Sequence, residues 1–438
     1  MYFVLHHKYR FNDIFSTIKG RFFYHRWHNA CLLFFALQRG HIVFEVLPQL
    51  APDPILGLSA AYREDLNSHK IDLGVGVYKD EQGNTPILTS VAKAQQLLLE
   101  RETSKTYITP QGNQGYIDNM LTLLLGKSSP VLLADRVAAV QAPGGCGALR
   151  ILSELLVRCN ENAKVWVSDP TWANHIPLIG SAGLKIETYP YFDKASASIR
   201  FDAMMDTLRG VEKGDIVLLH GCCHNPTGAD LTNAQWDEVL AVAKEREFLP
   251  FIDVAYLGFG EGLDEDAYGL RLLVENLPEV IVAASCSKNF GLYRERVGLA
   301  AIITADTATR KIAQGQIQSI ARGIYSMPPS YGGALVDIIL SDDALNQEWV
   351  NEVDEMRNRM KSLRAMLVKN LHDNGSPKDF SFVNDQKGMF SFLCITPEQV
   401  REVREKHSVY FVDSSRVNIA GINSENVETL AKALVSVL

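Results

Sequence analysis

No run of apolar residues in this chain reaches the ~18 needed for a helix to span a bilayer, so a helical membrane protein is excluded. Cysteine is scarce and irregular. The seven cysteines follow no regular spacing, and the adjacent pair Cys222-Cys223 suits no ordinary disulfide framework. A reduced, cytoplasmic setting is therefore expected, and no metal site. Positive charge is also short. Against 51 Asp and Glu stand 43 Lys and Arg, leaving a net charge of −8. Phosphate backbones need a basic surface, so nucleic acid is not the expected partner. There is no internal repeat, no low-complexity tract and no separable linker. What is present, 438 residues with 47% hydrophobic and 21% charged, is enough for one large domain and a smaller one.

The first 42 residues differ from the rest. They carry five histidines, the aromatic clusters Phe22-Phe23-Tyr24 and Phe34-Phe35, and six Lys or Arg against the single acid Asp13. An organelle-targeting extension is one reading, but the segment is poor in serine and lacks a clear amphipathic pattern. A signal peptide is another, but the apolar stretch Ala30 to Leu37 arrives late and no small-residue cleavage site follows. The globular pattern begins abruptly at Val43-Phe44-Glu45, and valine is how an alternative start codon looks when read as internal. The expectation is that residues 1–42 are a non-native or disordered extension.

From Leu56 onward, short apolar runs alternate with helical patterns, which predicts an α/β protein with a mostly parallel sheet. Candidate buried strands are Val165 to Val167, Ile216 to Leu219, Leu249 to Ile252, Val280 to Ala284 and Leu299 to Ile303. Helices are predicted over Gly147 to Cys159 and Asn233 to Arg246, the latter with an N-cap around Leu231-Thr232-Asn233. Trp349, Val353, Met356, Met360, Leu363, Leu367 and Leu371 recur at three- and four-residue spacing and predict one long helix from about Asp343 to His372. Asn374-Gly375 would end it. At 1.5 Å per residue it is roughly 40 Å long, a spine joining two domains rather than a part of one.

Chemistry concentrates where these strands end. Ser285-Cys286-Ser287-Lys288 follows a buried strand, and a lysine placed there can be partly desolvated and act as a neutral amine. Eight residues on, Arg296 supplies a fixed cation. Asp253 ends another strand; an aspartate there usually caps a helix, but it can also face the protonated ring nitrogen of a cofactor. Asn225-Pro226-Thr227-Gly228 follows a third strand and by itself is ordinary turn chemistry. Pro143-Gly144-Gly145-Cys146-Gly147 opens a helix. Glycine-rich backbone at a helix start can cradle a phosphate, though a tight turn reads the same way, and the spacing is not that of a dinucleotide fingerprint. All four signals fall at strand ends of one sheet, where such folds bind ligands.

Further motifs complete a pattern: Pro52-Asp53-Pro54-Ile55-Leu56-Gly57-Leu58, Leu73-Gly74-Val75-Gly76-Val77-Tyr78, Ser168-Asp169-Pro170-Thr171-Trp172, Cys222-Cys223-His224-Asn225-Pro226-Thr227-Gly228, Ser287-Lys288-Asn289-Phe290-Gly291-Leu292-Tyr293 and Ser415-Arg416-Val417-Asn418. Over roughly Phe44 to Leu438 the sequence resembles the aspartate and aromatic-amino-acid branch of the class I pyridoxal-phosphate aminotransferases. The resemblance implies the fold type I architecture: a large domain with a mostly parallel central sheet flanked by helices, plus a smaller α+β domain. Residues 43–85 would form the N-terminal arm and part of the small domain, 86–355 the large cofactor-binding domain, and 356–438 the C-terminal small domain.

It also implies roles. Lys288 would hold pyridoxal 5'-phosphate covalently and shuttle the substrate Cα proton. Asp253 would pair with the ring nitrogen, with His175 behind it. Asn225 and Tyr256 would hydrogen-bond the ring oxygen, and Trp172 would stack on the ring. Gly145, Cys146, Ser285, Ser287 and Arg296 would hold the phosphate, and Tyr107 would reach the phosphate of a neighbouring subunit in a homodimer. Arg416 would clamp the substrate α-carboxylate, a planar pairing that lysine cannot reproduce. Arg322 would cross the dimer to a side-chain carboxylate, and Gly76 would lie over the substrate.

Several positions depart from the pattern: Cys146 replaces threonine or serine, Met327 an asparagine or serine, Thr106 an asparagine or an apolar residue, and Ser415 a glycine. Val77, Lys79 and Thr85 look like the aspartate branch, whereas Gly228 to Asn233 and Glu265 to Tyr268 look like the aromatic one. The expected activity is ping-pong transfer from aspartate, with aromatic amino acids as a competing donor class, to 2-oxoglutarate. A different reaction on the same fold, or a non-catalytic amino-acid sensor, is the rival. Paired Arg322 and Arg416 count against the first, and the complete catalytic set against the second.

Overall fold

The apolar runs pair into one seven-stranded sheet, seen here in a computed structural model that describes residues 44, 47–49 and 54–438. The expectations for residues 1–42 lie outside the described residues. In chain order the strands are β1 (Val137–Pro143), β2 (Lys164–Asp169), β3 (Lys185–Pro190), β4 (Ile216–His220), β5 (Leu249–Val254), β6 (Val280–Ser285) and β7 (Val297–Ile303). Across the sheet they run β1-β7-β6-β5-β4-β2-β3. β7 is antiparallel to both neighbours, and every other pairing is parallel. The parallel majority agrees with the sequence reading. β1 and β3 were not foreseen, for different reasons. Three of the seven residues of β1 are alanine, a poor strand former, and β3 is a largely exposed edge strand with the sequence Lys-Ile-Glu-Thr-Tyr-Pro.

The central strands are buried on both faces, so they read as continuous apolar runs rather than as alternation. Successive side chains still point to opposite sides. Leu218, Phe251, Ile281 and Ala300 enter one core with Leu149, Leu152 and Ile320. Leu219, Ile252, Val282 and Leu299 enter the other. On the first face lie α1 (Gly144–Cys159), whose buried residues include Leu149, Ile151 and Leu152, and α3 (Thr307–Tyr325). Between β4 and β5, α2 (Asn233–Arg246) starts as predicted. Thr232 and Gln235 form a capping box that satisfies two backbone N–H groups.

The long helix α4 spans Asp343–Asp373, and all seven residues of the predicted stripe are buried. Asp342 caps its start by accepting from the N–H of Ala344 and of Leu345 at 3.0 Å. Gly375, at φ +76°, ends it. Beyond α4 the chain returns to its own beginning. Ile71–Asp72 pairs with Val409–Tyr410, and Phe390–Phe392 pairs with Arg416–Asn418. Asp53–Leu438 gathers into one compact unit. Among the described residues no helix is long and apolar enough to cross a membrane.

Two side chains of α4 reach the site region. Trp349 Nε1 donates to the Asn289 carbonyl at 2.8 Å, and its ring stacks on Phe290 at 4.3 Å, which pins the loop that follows Lys288. Arg364 donates through Nη2 to the carbonyls of Gly388 and Phe390, at 2.7 and 2.9 Å. Burial pushes its pKa down to about 10. Trp349→Phe keeps most of the apolar volume but leaves the Asn289 carbonyl unpaired, at a cost of about 1–3 kcal/mol. A lower urea midpoint at unchanged slope is the expected result; an unchanged midpoint would show that the carbonyl finds another donor.

Candidate active site

Parallel strands deliver their carboxyl ends to one edge of a sheet, and the antiparallel β7 brings its start there. Twelve of the predicted residues line a single cavity of about 250 Å³ at that edge: Gly76, Gly145, Cys146, Trp172, Asn225, Asp253, Tyr256, Ser285, Ser287, Lys288, Arg296 and Arg416. Each segment has its source in the fold. Gly145 and Cys146 follow β1, Trp172 follows β2, Asn225 follows β4, and Asp253 and Tyr256 sit at the end of β5. Ser285, Ser287 and Lys288 leave β6, and Arg296 enters β7.

One wall is an anion cradle. Arg296 Nη1 donates to Ser287 Oγ at 3.2 Å, and Ser285 Oγ donates to Ser287 Oγ at 3.1 Å. The first turn of α1 faces them with its free N–H groups. Gly144 is required here. It sits at φ +71°, and a Cβ on it would lie 2.3 Å from Arg296 Nη2. At Cys146 the cradle has a thiol where a hydroxyl was expected. Its Sγ accepts from Asn174 Nδ2 at 3.8 Å, and as a donor a thiol is weaker than the two serine hydroxyls.

The floor is a buried carboxylate held from behind. Asp253 Oδ2 lies 3.0 Å from His175 Nε2. The chain of contacts continues from His175 Nδ1 to Thr171 Oγ1 at 2.9 Å and from there to His220 Nε2 at 3.1 Å. Burial alone would raise the Asp253 pKa. The His175 hydrogen bond, the largest opposing effect, and the nearby Lys288 outweigh it and hold the carboxyl below its usual range. Burial, with His175 adding to it, depresses His220 to about 3. His220 and Thr171 carry no role in the sequence reading, because only the fold sets them beside His175.

Lys288 projects into the cavity with its amine 4.7 Å from the centre of the Tyr256 ring. Burial lowers its pKa, with Arg296 adding to the effect and Asp253 and Cys146 opposing it. Burial pushes the Tyr256 hydroxyl up. Opposite stands Arg416, 6% exposed. Nη1 donates to Asn225 Oδ1 at 3.3 Å and Nη2 to the Gly74 carbonyl at 2.9 Å, while Nε is buried with no partner. A guanidinium with an orphaned donor at a cavity wall suits a bound carboxylate. Ser415 before it stands at φ +73°, where glycine is at ease, and its buried hydroxyl has no partner.

Phe390 and Tyr293 also line the cavity, and neither was predicted. Phe390 packs against Arg416 at 4.2 Å and would lie 2.8 Å from a Cβ on Gly76, so that glycine lets the two segments close. Tyr293 OH accepts from the Tyr78 N–H at 2.8 Å, tying the Gly76 segment to the Lys288 loop. An apolar ring and a residue within a long motif gave no separate signal. Tyr107 and Arg322 are outside the cavity. Tyr107 is 86% exposed, and Arg322 is exposed on α3, as residues directed at another subunit would be.

The residues fit a phosphorylated, ring-shaped aldehyde. A cationic and hydroxyl cradle, a carboxylate floor, an aromatic wall at Trp172 and a depressed lysine amine each meet a different part of it. Comparison with known proteins agrees. The sequence model of the family described as aminotransferase class I and II matches residues 68–434. The aromatic-amino-acid aminotransferase of Pseudomonas aeruginosa is 47% identical over 90% of this chain and 98% of its own. The aspartate aminotransferase of Escherichia coli is 45% identical over 90% of this chain and all of its own. A solved aromatic-amino-acid aminotransferase from Burkholderia pseudomallei, covalently bound to pyridoxal phosphate, superposes with TM-score 0.89 at 42% identity. That match covers 90% of this chain and 99% of the other. The fold and the cavity together with these likenesses lead to one conclusion: the chain belongs to the class I and II aminotransferases, enzymes that use pyridoxal phosphate to move amino groups between amino acids and oxo acids.

Proposed function

We propose that the chain transfers the amino group of aspartate to 2-oxoglutarate in a ping-pong cycle, with aromatic amino acids as a second donor class. The observation that carries it is Arg416, a buried guanidinium that lines the same cavity as Lys288 and has no acidic partner among the described residues. The α-carboxylate of an incoming amino acid pairs with this guanidinium, which sets the Cα proton towards Lys288. The Lys288 amine, its pKa lowered by burial, would take that proton and hand it back to the bound cofactor. When bound, pyridoxal phosphate supplies the conjugated ring that accepts the electron pair left at Cα. Asp253, kept ionised by His175, keeps the ring nitrogen protonated. Asn225 and Tyr256 bind the ring oxygen, and Trp172 covers one face. Gly145, Cys146, Ser285, Ser287 and Arg296 hold the phosphate.

The side-chain preference rests on Arg322. It is exposed and has no acidic partner among the described residues, which suits a cation that completes the site of a second subunit. With Tyr107 it makes the working unit a homodimer. Met327 favours the aromatic reading. Its Sδ accepts from the Ile108 N–H at 3.2 Å, which places an apolar side chain beside the Tyr107 segment. We further assign residues 86–355 to the cofactor-binding domain, and 43–85 with 356–438 to the arm and small domain. The unpaired cysteines among the described residues suit the cytoplasm.

Lys288→Ala is expected to abolish the visible absorbance of covalently held cofactor and to lower kcat at least about a hundredfold. An unchanged spectrum would remove Lys288 from its role. For the donor, kcat/KM is compared between aspartate and phenylalanine with 2-oxoglutarate. Aspartate should lead by about tenfold, or about 1.4 kcal/mol. Arg322→Ala should cost aspartate roughly 10–100-fold, from about 1.5–3 kcal/mol for a lost charged hydrogen bond, and leave phenylalanine nearly unchanged. Phenylalanine ahead of aspartate would make the aromatic activity the main one.

A further inference from the structure

One cluster beside the active site has no part in transamination and has the composition of a metal site. Cys222, Cys223 and Asp266 are all buried, and their two Sγ atoms and a carboxylate oxygen lie within 4.8 Å of one another. Adjacent side chains of an extended chain point to opposite sides. Cys223 departs from that rule because its φ is +51°, which turns its thiol to the side of Cys222. We propose that Cys222, Cys223 and Asp266 bind one thiophilic divalent cation, Zn²⁺ or Cd²⁺, immediately behind the wall of the catalytic cavity.

The geometry needs little adjustment. A tetrahedral zinc with these ligands sets its donor atoms roughly 3.6–3.8 Å apart, so the cluster has to close by no more than about 1 Å. Asp266 is already oriented. Its Oδ2 accepts from the N–H of Gly258 and of Gly260 at 2.9 Å, and Oδ1 accepts from that of Glu261 at 2.8 Å. Such outer hydrogen bonds are what fix a metal-binding carboxylate. A separate cavity of about 440 Å³, bordered by Cys222 and Asp266, gives an entry path and room for a water as fourth ligand.

The local charge is compatible. Asp230 accepts from the N–H of Cys223 and of His224 at 2.7 and 2.8 Å. Lys387 is engaged by Glu261 at 3.4 Å, and Arg364 by backbone carbonyls. Two thiol protons leave to solvent as two sulfur–metal bonds form, with no change of oxidation state. The cation would be felt at the active site. Cys222 lines both cavities, the Cys223 thiol contacts the Tyr256 carbonyl at 3.8 Å, and the Gly221 N–H donates to the Asp253 carbonyl at 2.8 Å.

The test is a Cd²⁺ titration of the reduced holoenzyme, read by the ultraviolet thiolate-to-metal absorption rather than by turnover. It stands or falls independently of the donor preference. The absorption should saturate at one equivalent per chain, disappear in Cys222→Ser and in Cys223→Ser, and persist in Cys146→Ser and in Cys159→Ser. Where a serine variant does not fold, anomalous diffraction from a cadmium-soaked crystal of the unaltered chain decides, with the expected peak bonded to both sulfurs. No absorption, absorption that survives loss of Cys222 and of Cys223, or a peak on other cysteines overturns the proposal.

Discussion

An amine and a carboxylate cannot be taken out of water a few ångströms apart unless other groups compensate each of them. Around Lys288 and Asp253 the fold does this. Asp253 stays charged because His175 donates to it, and His175 is held in turn through Thr171 to His220, which burial keeps neutral. Lys288 is pressed the other way, towards its free base, by burial and by Arg296. The carboxyl and the lysine are thus both pulled below their ordinary pKa in one small cavity, the direction that pyridoxal-phosphate chemistry needs of each.

The sheet makes that arrangement possible. Parallel strands carry their carboxyl ends to a common edge, so five short segments far apart in sequence deliver side chains to the same place. The antiparallel β7 adds Arg296 from the opposite direction. α4 then braces the site from outside, Trp349 through the Asn289 carbonyl and Arg364 through the Phe390 segment. Arg416 and Phe390 come from a two-stranded pairing formed beyond α4, so the Arg416 side of the cavity belongs to a different part of the chain from the Lys288 side.

The departures from the family pattern sit at the edges of this machinery. Cys146 weakens one contact in a cradle that keeps Arg296 and two serines. Ser415 puts a side chain on left-handed backbone beside the carboxylate clamp. Met327 lies against the Tyr107 segment, at the rim where a second subunit would contribute. None of them replaces a member of the Lys288–Asp253–His175 set, whereas the donor preference turns on the rim. Cys222 and Cys223 lie on the far side of the same wall, in the turn between β4 and Asn225.

Much of this was legible in the chain alone. Fully buried strands such as Val280–Ser285 announce themselves as continuous apolar runs, and the stripe from Trp349 to Leu371 sets one long helix, because burial and helical period leave few alternatives. Ten of the twelve predicted residues that line the cavity sit at the ends of sheet strands, and Gly76 and Arg416 reach it from segments outside the sheet. β1 and β3 were missed because alanine and an exposed edge carry no such signal. His220, Thr171, Phe390 and the Cys222–Cys223–Asp266 cluster belong only to the tertiary structure. Their meaning comes from proximity across the fold: a neutral histidine behind a carboxylate, a ring against a glycine, a left-handed cysteine turned to its neighbour. Sequence determines which side chains stand at the strand ends. Only packing decides which of them share a wall, and so which charges burial must balance.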